Sequence, residues 1–208
     1  MYFLLFTLLT ANTSLGADPT QAHPHQGVSE RFVNPKPTVL SAEEQSKLAS
    51  GAAVRRQVKN KSGGRGIAIM DVKAAPEKIW KTILDYSQYP SWIDNLKRTE
   101  IYGGDADSGY NVEFELGVLG MQITYYIDHD LHSDKGHLTW HLDYTRESDI
   151  DDSTGYWLVY PVPGQPEMTR VEYSVDLRLK GWVPGIVENM LAKKGLVIAT
   201  SWVKQQAE

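Results

Sequence analysis

Residues 170–204 read RVEYSVDLRLKGWVPGIVENMLAKKGLVIATSWVK. In the first ten, Val171, Tyr173, Val175, Leu177 and Leu179 alternate with Arg170, Glu172, Ser174, Asp176 and Arg178. A strict period of two marks an antiparallel strand with one buried and one wet face. After Gly181 the period changes. Pro184 suits the first position of a helix, and Val187, Leu191, Gly195, Ile198 and Trp202 then step by four, four, three and four along one side. Ile186, Met190 and Val197 widen that stripe. A stripe this broad must be covered, and the apolar face of the preceding sheet is the available partner.

Working outward, the same alternation recurs. Tyr110, Val112, Phe114, Leu116 and Val118 form one set, and Met121, Ile123, Tyr125 and Ile127 follow across Gly120. Leu138, Trp140 and Leu142 form another, with a further strand at 156–160. Nearer the start, Ser41 with Glu44 three residues on is a capping box that opens a short helix through about Ser50. Segments 53–59 and 66–72 flank Lys61-Ser62-Gly63-Gly64, a hairpin signal. Pro76 starts a helix with Ile79, Trp80, Ile83 and Leu84 on one stripe; a turn at 86–90 leads to a second short helical piece over 91–96. The order predicts an α+β fold: a curved antiparallel sheet wrapped around a long C-terminal helix, with two short helices after the first strands. Such a sheet leaves space at the ends of the helix that side chains do not fill, and that space is the candidate site.

The ends and the composition narrow the function. At 208 residues the chain makes one domain plus ends. Residues 1–17 (MYFLLFTLLTANTSLGA) carry no charge, and an apolar run at 2–9 gives way to small and polar residues. This predicts a secretory signal peptide cut after Gly16 or Ala17, too short to span a bilayer. Residues 18–40, rich in Pro, His, Gln and Asn without period, predict a flexible N-terminal linker, and 41–208 the folded domain. The expectation is an exported chain, periplasmic or secreted. Asn60-Lys61-Ser62 is a glycosylation sequon that matters only in a eukaryotic secretory route. The absence of Cys excludes disulfide scaffolds, thiol nucleophiles, Fe–S clusters and zinc ribbons. Twenty-one Lys+Arg against 26 Asp+Glu give a net charge of −5, which argues against a nucleic-acid partner. Six Trp and eleven Tyr suit either a core or a ligand pocket.

Two motifs carry a resemblance. Val72-Lys73-Ala74-Ala75-Pro76-Glu77-Lys78-Ile79-Trp80 leads to Leu84-Asp85-Tyr86-Ser87-Gln88-Tyr89-Pro90-Ser91-Trp92 and a strand at 97–102, and Gly181-Trp182-Val183-Pro184-Gly185 opens the last helix. Over about residues 51–205 this resembles the START-like helix-grip superfamily, also called SRPBCC. That superfamily includes lipid-transfer START domains, polyketide cyclase/aromatases, coenzyme Q-binding proteins and birch-pollen-type allergens. The resemblance implies a largely apolar internal cavity for a hydrophobic small molecule such as a lipid, sterol, quinone or polyketide. It is nearly silent on activity, because the matching residues pack short helices against a sheet.

Alternation and the helix stripe name the cavity wall: Phe114, Leu116, Tyr125, Trp140, Trp157, Tyr173, Val175, Val187, Met190 and Leu191. For each, ordinary close-packed core is the alternative. Gly195 in mid-helix costs ~1 kcal/mol relative to Ala, which close approach to the sheet or to a ligand would explain. His129, His132, His137 and His141 lie on or beside strands; alternation turns His141 and Asp143 to solvent and His129 inward. No nucleophile–base pair or metal triad is recovered, so no catalytic residue, metal or cofactor is assigned. The leading reading is a module that binds, and in one form transports, a hydrophobic ligand. The alternative is a cyclase/dehydratase-type enzyme acting on a polyketide-like or aromatic substrate, with Tyr or His129 as acid–base. A third is a domain whose aromatics fill their own cavity. On the surface, residues 147–152 (ESDIDD) predict a solvated turn and His23-Pro24-His25 a solvated stretch, not a metal site. Arg55, Arg56, Lys59, Lys61 and Arg65 form a basic hairpin, solvated or in transient contact with an anionic membrane surface.

Overall fold

The computed structural model describes residues 16–60, 63–118, 120–181 and 185–208, and the backbone alone at 58–60, 63 and 185–193. Helix α1 (Ala42–Ala49) precedes strands β1 (Val54–Asn60) and β2 (Gly63–Val72). Helix α2 (Pro76–Ile83), a 3₁₀ turn at Tyr86–Gln88 and the one-turn helix α3 (Tyr89–Trp92) come next. Six strands follow: β3 (Leu96–Asp105), β4 (Gly109–Val118), β5 (Met121–His132), β6 (His137–Leu142), β7 (Ile150–Val162) and β8 (Gln165–Leu179). Helix α4 (Gly185–Ala207) closes the chain. The strands form one antiparallel sheet in the order β1-β2-β8-β7-β6-β5-β4-β3, so α2 and α3 carry the chain from β2 to the opposite edge.

Local chemistry accounts for the short helices. The Ser41 hydroxyl accepts from the Glu44 N–H, and the Glu44 carboxylate accepts from the Ser41 N–H, closing the expected capping box. Pro76 stands in the first turn of α2, whose Ile79 and Ile83 are fully buried. Helix α3 comes two residues early and stops at Trp92, short of the expected 91–96. Ile93 is extended and Asn95 is left-handed (φ 69°), a conformation Asn tolerates better than most, so the chain turns into β3 at once.

The concave face of the sheet carries the main core, closed by α2, α3 and the C-terminal half of α4, with Trp202 1% exposed. Helix and sheet approach closely at Gly66, where a Cβ would stand 2.8 Å from Leu196 Cδ2. Gly195 does not serve that purpose: a Cβ there meets nothing within 4 Å among the described residues.

The convex face is not uniformly wet, contrary to the alternation rule. Residues 18–40, expected as a flexible linker, lie along β7 and β8. Asp18 pairs with Glu147 in an antiparallel bridge, the Val28 and Ser29 N–H groups donate to Asp152, and the Thr38 N–H donates to Glu172. Phe32 packs edge-on to Tyr156 at 4.9 Å, with the Arg65 guanidinium 4.8 Å from its ring. Under this arm Asp152, Thr154, Glu172 and Ser174 are at most 2% exposed. Their polarity is tolerated because each has partners: Asp152 and Glu172 accept from arm N–H groups, and the Thr154 and Ser174 hydroxyls donate to the Trp140 and Gly66 carbonyls of the sheet. Among the described residues no helix is long and apolar enough to cross a membrane.

Candidate functional site

Between the concave face and α4 lies a cavity of about 350 Å³. Its wall is largely aromatic. Trp140 on β6 lies flat over β7 because Gly155 faces it, where a Cβ would come within 2.2 Å of the indole; the indole N–H donates to Ser153 Oγ at 3.3 Å. Tyr173 on β8 stacks on Trp140 at 5.4 Å and leans on Trp157 at 4.6 Å, and Phe114 stacks on Tyr125 at 5.3 Å. Rigid rings held by their neighbours cannot collapse into the remaining space, so it persists.

Seven of the ten residues named from the sequence line this space: Phe114, Leu116, Tyr125, Trp140, Trp157, Tyr173 and Val175. The side chains of Val187, Met190 and Leu191 lie outside the described residues. The sequence reading missed Tyr86, Tyr89, Ile123, Leu177, Leu196 and Trp202, which also line it. Ile123, Leu177 and Trp202 carried a signal, since they share the strand phase or helix stripe of residues that were named. Tyr86 and Tyr89 sit in and just after a turn and had no period to declare them. Exposed Gln57, Asp94 and Asn95 in the lining mark where the cavity opens.

Several polar atoms of the lining have no protein partner among the described residues, among them His129 Nε2 and the hydroxyls of Tyr86, Tyr125 and Tyr173. His129 places Nδ1 2.8 Å from the Tyr110 carbonyl. A carbonyl only accepts, so Nδ1 carries the proton and Nε2 presents a bare lone pair. Burial pushes the His129 pKa down to about 4, against the smaller opposing pull of the Tyr110 carbonyl, so the ring is neutral near pH 7. The Tyr125 and Tyr173 hydroxyls also lack partners, and burial pushes both well above the usual phenol range. The cavity thus offers phenol donors and one imidazole acceptor on apolar walls. His132, His137 and His141 do not line it. His141 stacks on Tyr144, and Asp143 accepts from Tyr102 OH, both away from the cavity.

Two surface expectations are corrected. The acidic run is not a solvated turn. Asp149 accepts from the Ala17 and Thr124 N–H groups and Ser148 Oγ from the Tyr126 N–H; Asp152, already the third residue of β7, accepts from Val28, Ser29, Ser153 and Tyr144. Nor is His23-Pro24-His25 solvated: His23 is 4% exposed, and ligand atoms of His23, His25 and Asp151 lie within 4.8 Å of one another. The two Nδ1 atoms accept from Ser148 and Gly27 N–H, so the Nε2–H groups donate to the carbonyl and carboxylate of Asp151. All four ring nitrogens are therefore engaged in latching the arm. Of the basic hairpin, Arg56 pairs with Glu44 and Arg65 covers Phe32; the side chains of Lys59 and Lys61 lie outside the described residues.

Residues 68–198 match the family model described as polyketide cyclase / dehydrase and lipid transport. No curated protein sequence matches the chain. A START superfamily protein from Mycobacterium smegmatis superposes with a TM-score of 0.54 at 16% identity, covering 74% of this chain and 96% of that one. The Zhui aromatase/cyclase from Streptomyces sp. R1128 gives 0.57 at 16% identity over 74% and 94%. A STAR-related lipid transfer protein fragment from Xanthomonas axonopodis gives 0.54 at 13% over 75% and 93%. At such identities the likeness shows the fold alone.

Proposed function

Because the chain belongs to the polyketide cyclase / dehydrase and lipid transport family, we propose that it binds a hydrophobic small molecule, a lipid, sterol or quinone, between the sheet and α4. The observation that carries this reading is a cavity of about 350 Å³ with aromatic walls and unpartnered polar atoms on His129, Tyr125 and Tyr173. An apolar body gains ~25 cal/mol per Å² buried on such walls. A ligand carbonyl or hydroxyl there meets a phenol donor or the imidazole acceptor, which leaves neither side unsatisfied. The volume is near the lower end of the ~300–1,000 Å³ typical of small-molecule pockets. It suits a ring system or a single acyl chain better than a two-tailed lipid.

The second reading, a cyclase/dehydratase, is favoured by the inward aim of His129. Its chemistry is poorly matched: a general base works best with a pKa near the working pH, and this imidazole sits at about 4. The tyrosines, pushed up, are weak acids that serve better as hydrogen-bond donors. Denaturing extraction and mass spectrometry of the purified protein test the binding reading, followed by thermal shifts against single-chain lipids, sterols and quinones. A bound hydrophobic molecule and a raised Tm are expected; an empty protein that responds to none of them overturns it. Turnover of a polyketide-like substrate that is lost in His129→Gln would transfer the assignment to the enzyme. Anionic vesicles in the same assay test the membrane contact of the basic hairpin.

A further inference from the structure

Asp149, one residue before β7, is a buried carboxylate in need of a cation. It is 6% exposed and forms no ion pair with a described residue; Lys180 is taken by Glu147 at 2.5 Å. Its two oxygens accept from the Thr124 N–H and from the Ala17 N–H, each at 2.8 Å. A buried carboxylate bonded only to neutral donors is poorly compensated, and burial pushes its pKa up despite those bonds and the weaker pull of the Lys180 charge, which Glu147 offsets. The register that brings Ala17 there is fixed from next door: Asp18 and Glu147 exchange backbone hydrogen bonds of 2.9 and 3.0 Å.

The sequence singles out the same atom independently. The bond between Gly16 and Ala17 has small residues immediately before it (Gly16) and three before it (Ser14), the pattern a leader peptidase cuts. A cut one residue later would put Leu15 at that third position. We propose that the chain is cut between Gly16 and Ala17 and that the new α-ammonium of Ala17 pairs with Asp149, so that processing locks the arm onto the convex face. Water, activated by the peptidase, adds to the Gly16 carbonyl carbon; the C–N bond breaks, Gly16 leaves as a carboxylate, and the Ala17 nitrogen takes up protons. A neutral amide donor thereby becomes a cation at the position where the buried carboxylate already accepts. The fold then distinguishes the processed chain from its precursor, whatever the cavity holds.

The test starts from the full 208-residue chain expressed in a bacterial host, with the exported fraction examined by intact mass and N-terminal sequencing. A mature chain beginning at Ala17 is expected; absence from that fraction, or a different first residue, overturns the proposal. Hydrogen exchange of the arm amides at 18–29 is then compared in mature protein and in a leaderless form beginning at Gly16, where Ala17 stays a neutral amide. Each is made with and without Asp149→Asn. The proposal expects Asp149→Asn to speed arm exchange about tenfold more in the mature form than in the Gly16 form. Equal acceleration in both overturns it, and thermal melts of all four forms verify that each is folded.

Discussion

The two faces of the sheet are built from the same alternating strands and closed in opposite ways. Strand β8 shows both: Tyr173 and Val175 face the cavity, while Glu172 and Ser174, at 0% and 2% exposure, lie under the N-terminal arm. On the concave side, rigid rings meet a helix and leave about 350 Å³ open. On the convex side, backbone N–H groups of the arm meet carboxylates, and Asp152 and Glu172 are left with no contact with solvent. Shape mismatch makes the binding space; hydrogen-bond matching closes the back. The first tolerates a ligand, whereas the second tolerates no missing partner.

The largest effect should come from removing the ring that joins cavity to core. Trp202 packs on Tyr89 at 4.6 Å and Trp92 at 5.5 Å and is 1% exposed. Trp202→Ala is expected to cost about 3–5 kcal/mol in denaturant unfolding. A loss under 1 kcal/mol would mean that α4 is not held by the concave face.

Acid should unlatch the faces separately. The folded pKa of His129, about 4, lies below its unfolded value near 6.5, so protonation favours unfolding. Its stabilisation is complete above pH 6.5 and falls away as pH drops through 4, by about 3 kcal/mol in all. His23 is also lowered, chiefly by burial, so it loses stabilisation in the same direction, but on the arm. In His129→Gln the acid loss of global stability should shrink by about that amount, while faster exchange of the arm amides in acid persists. Loss of both together would show that the faces are one cooperative unit.

A smaller cost is expected on the convex side. Asp152→Ala strips acceptors from the Val28, Ser29 and Ser153 N–H groups and from Tyr144 OH, at about 2 kcal/mol, with early proteolysis near residues 25–31. Asp152→Asn, which keeps one acceptor, should lose less. Ligand affinity should change little in either; a large drop would mean that the arm shapes the cavity.

The concave face was legible in the sequence because burial there is written in side chains. A period of two placed Phe114, Tyr125, Trp140 and Tyr173 inward, and His129 shares the phase of Tyr125 and Ile127. The convex face was not, because much of the arm docks through its own backbone N–H groups, which leave no mark in residue type, and the side chains that help it, His23, His25 and Phe32, stand without a period. The acceptors, Asp149, Asp152 and Glu172, read as ordinary solvated charges for the same reason. Tyr86 and Tyr89 escaped because a turn has no period, although Tyr89 is fixed by donating its hydroxyl to the Ile83 carbonyl.

The smallest stability effect has the opposite sign and separates cavity from core most sharply. Gly195 lines the cavity, and a Cβ there meets nothing within 4 Å among the described residues. If that space were merely unused, Gly195→Ala would do no more than restore helix propensity and raise stability by about 1 kcal/mol. If it receives a ligand, the same methyl takes volume from it. The expected result is therefore a pair: Tm of the ligand-free protein rises, and the thermal shift produced by a bound lipid or quinone falls. Gly195→Leu should extend the trend, with binding weakened further while the ligand-free fold holds. A core position cannot give that pair, because added volume in close packing lowers stability first. Gly66→Ala supplies the contrast on the facing strand: its Cβ would press on Leu196 at 2.8 Å, so stability should fall there.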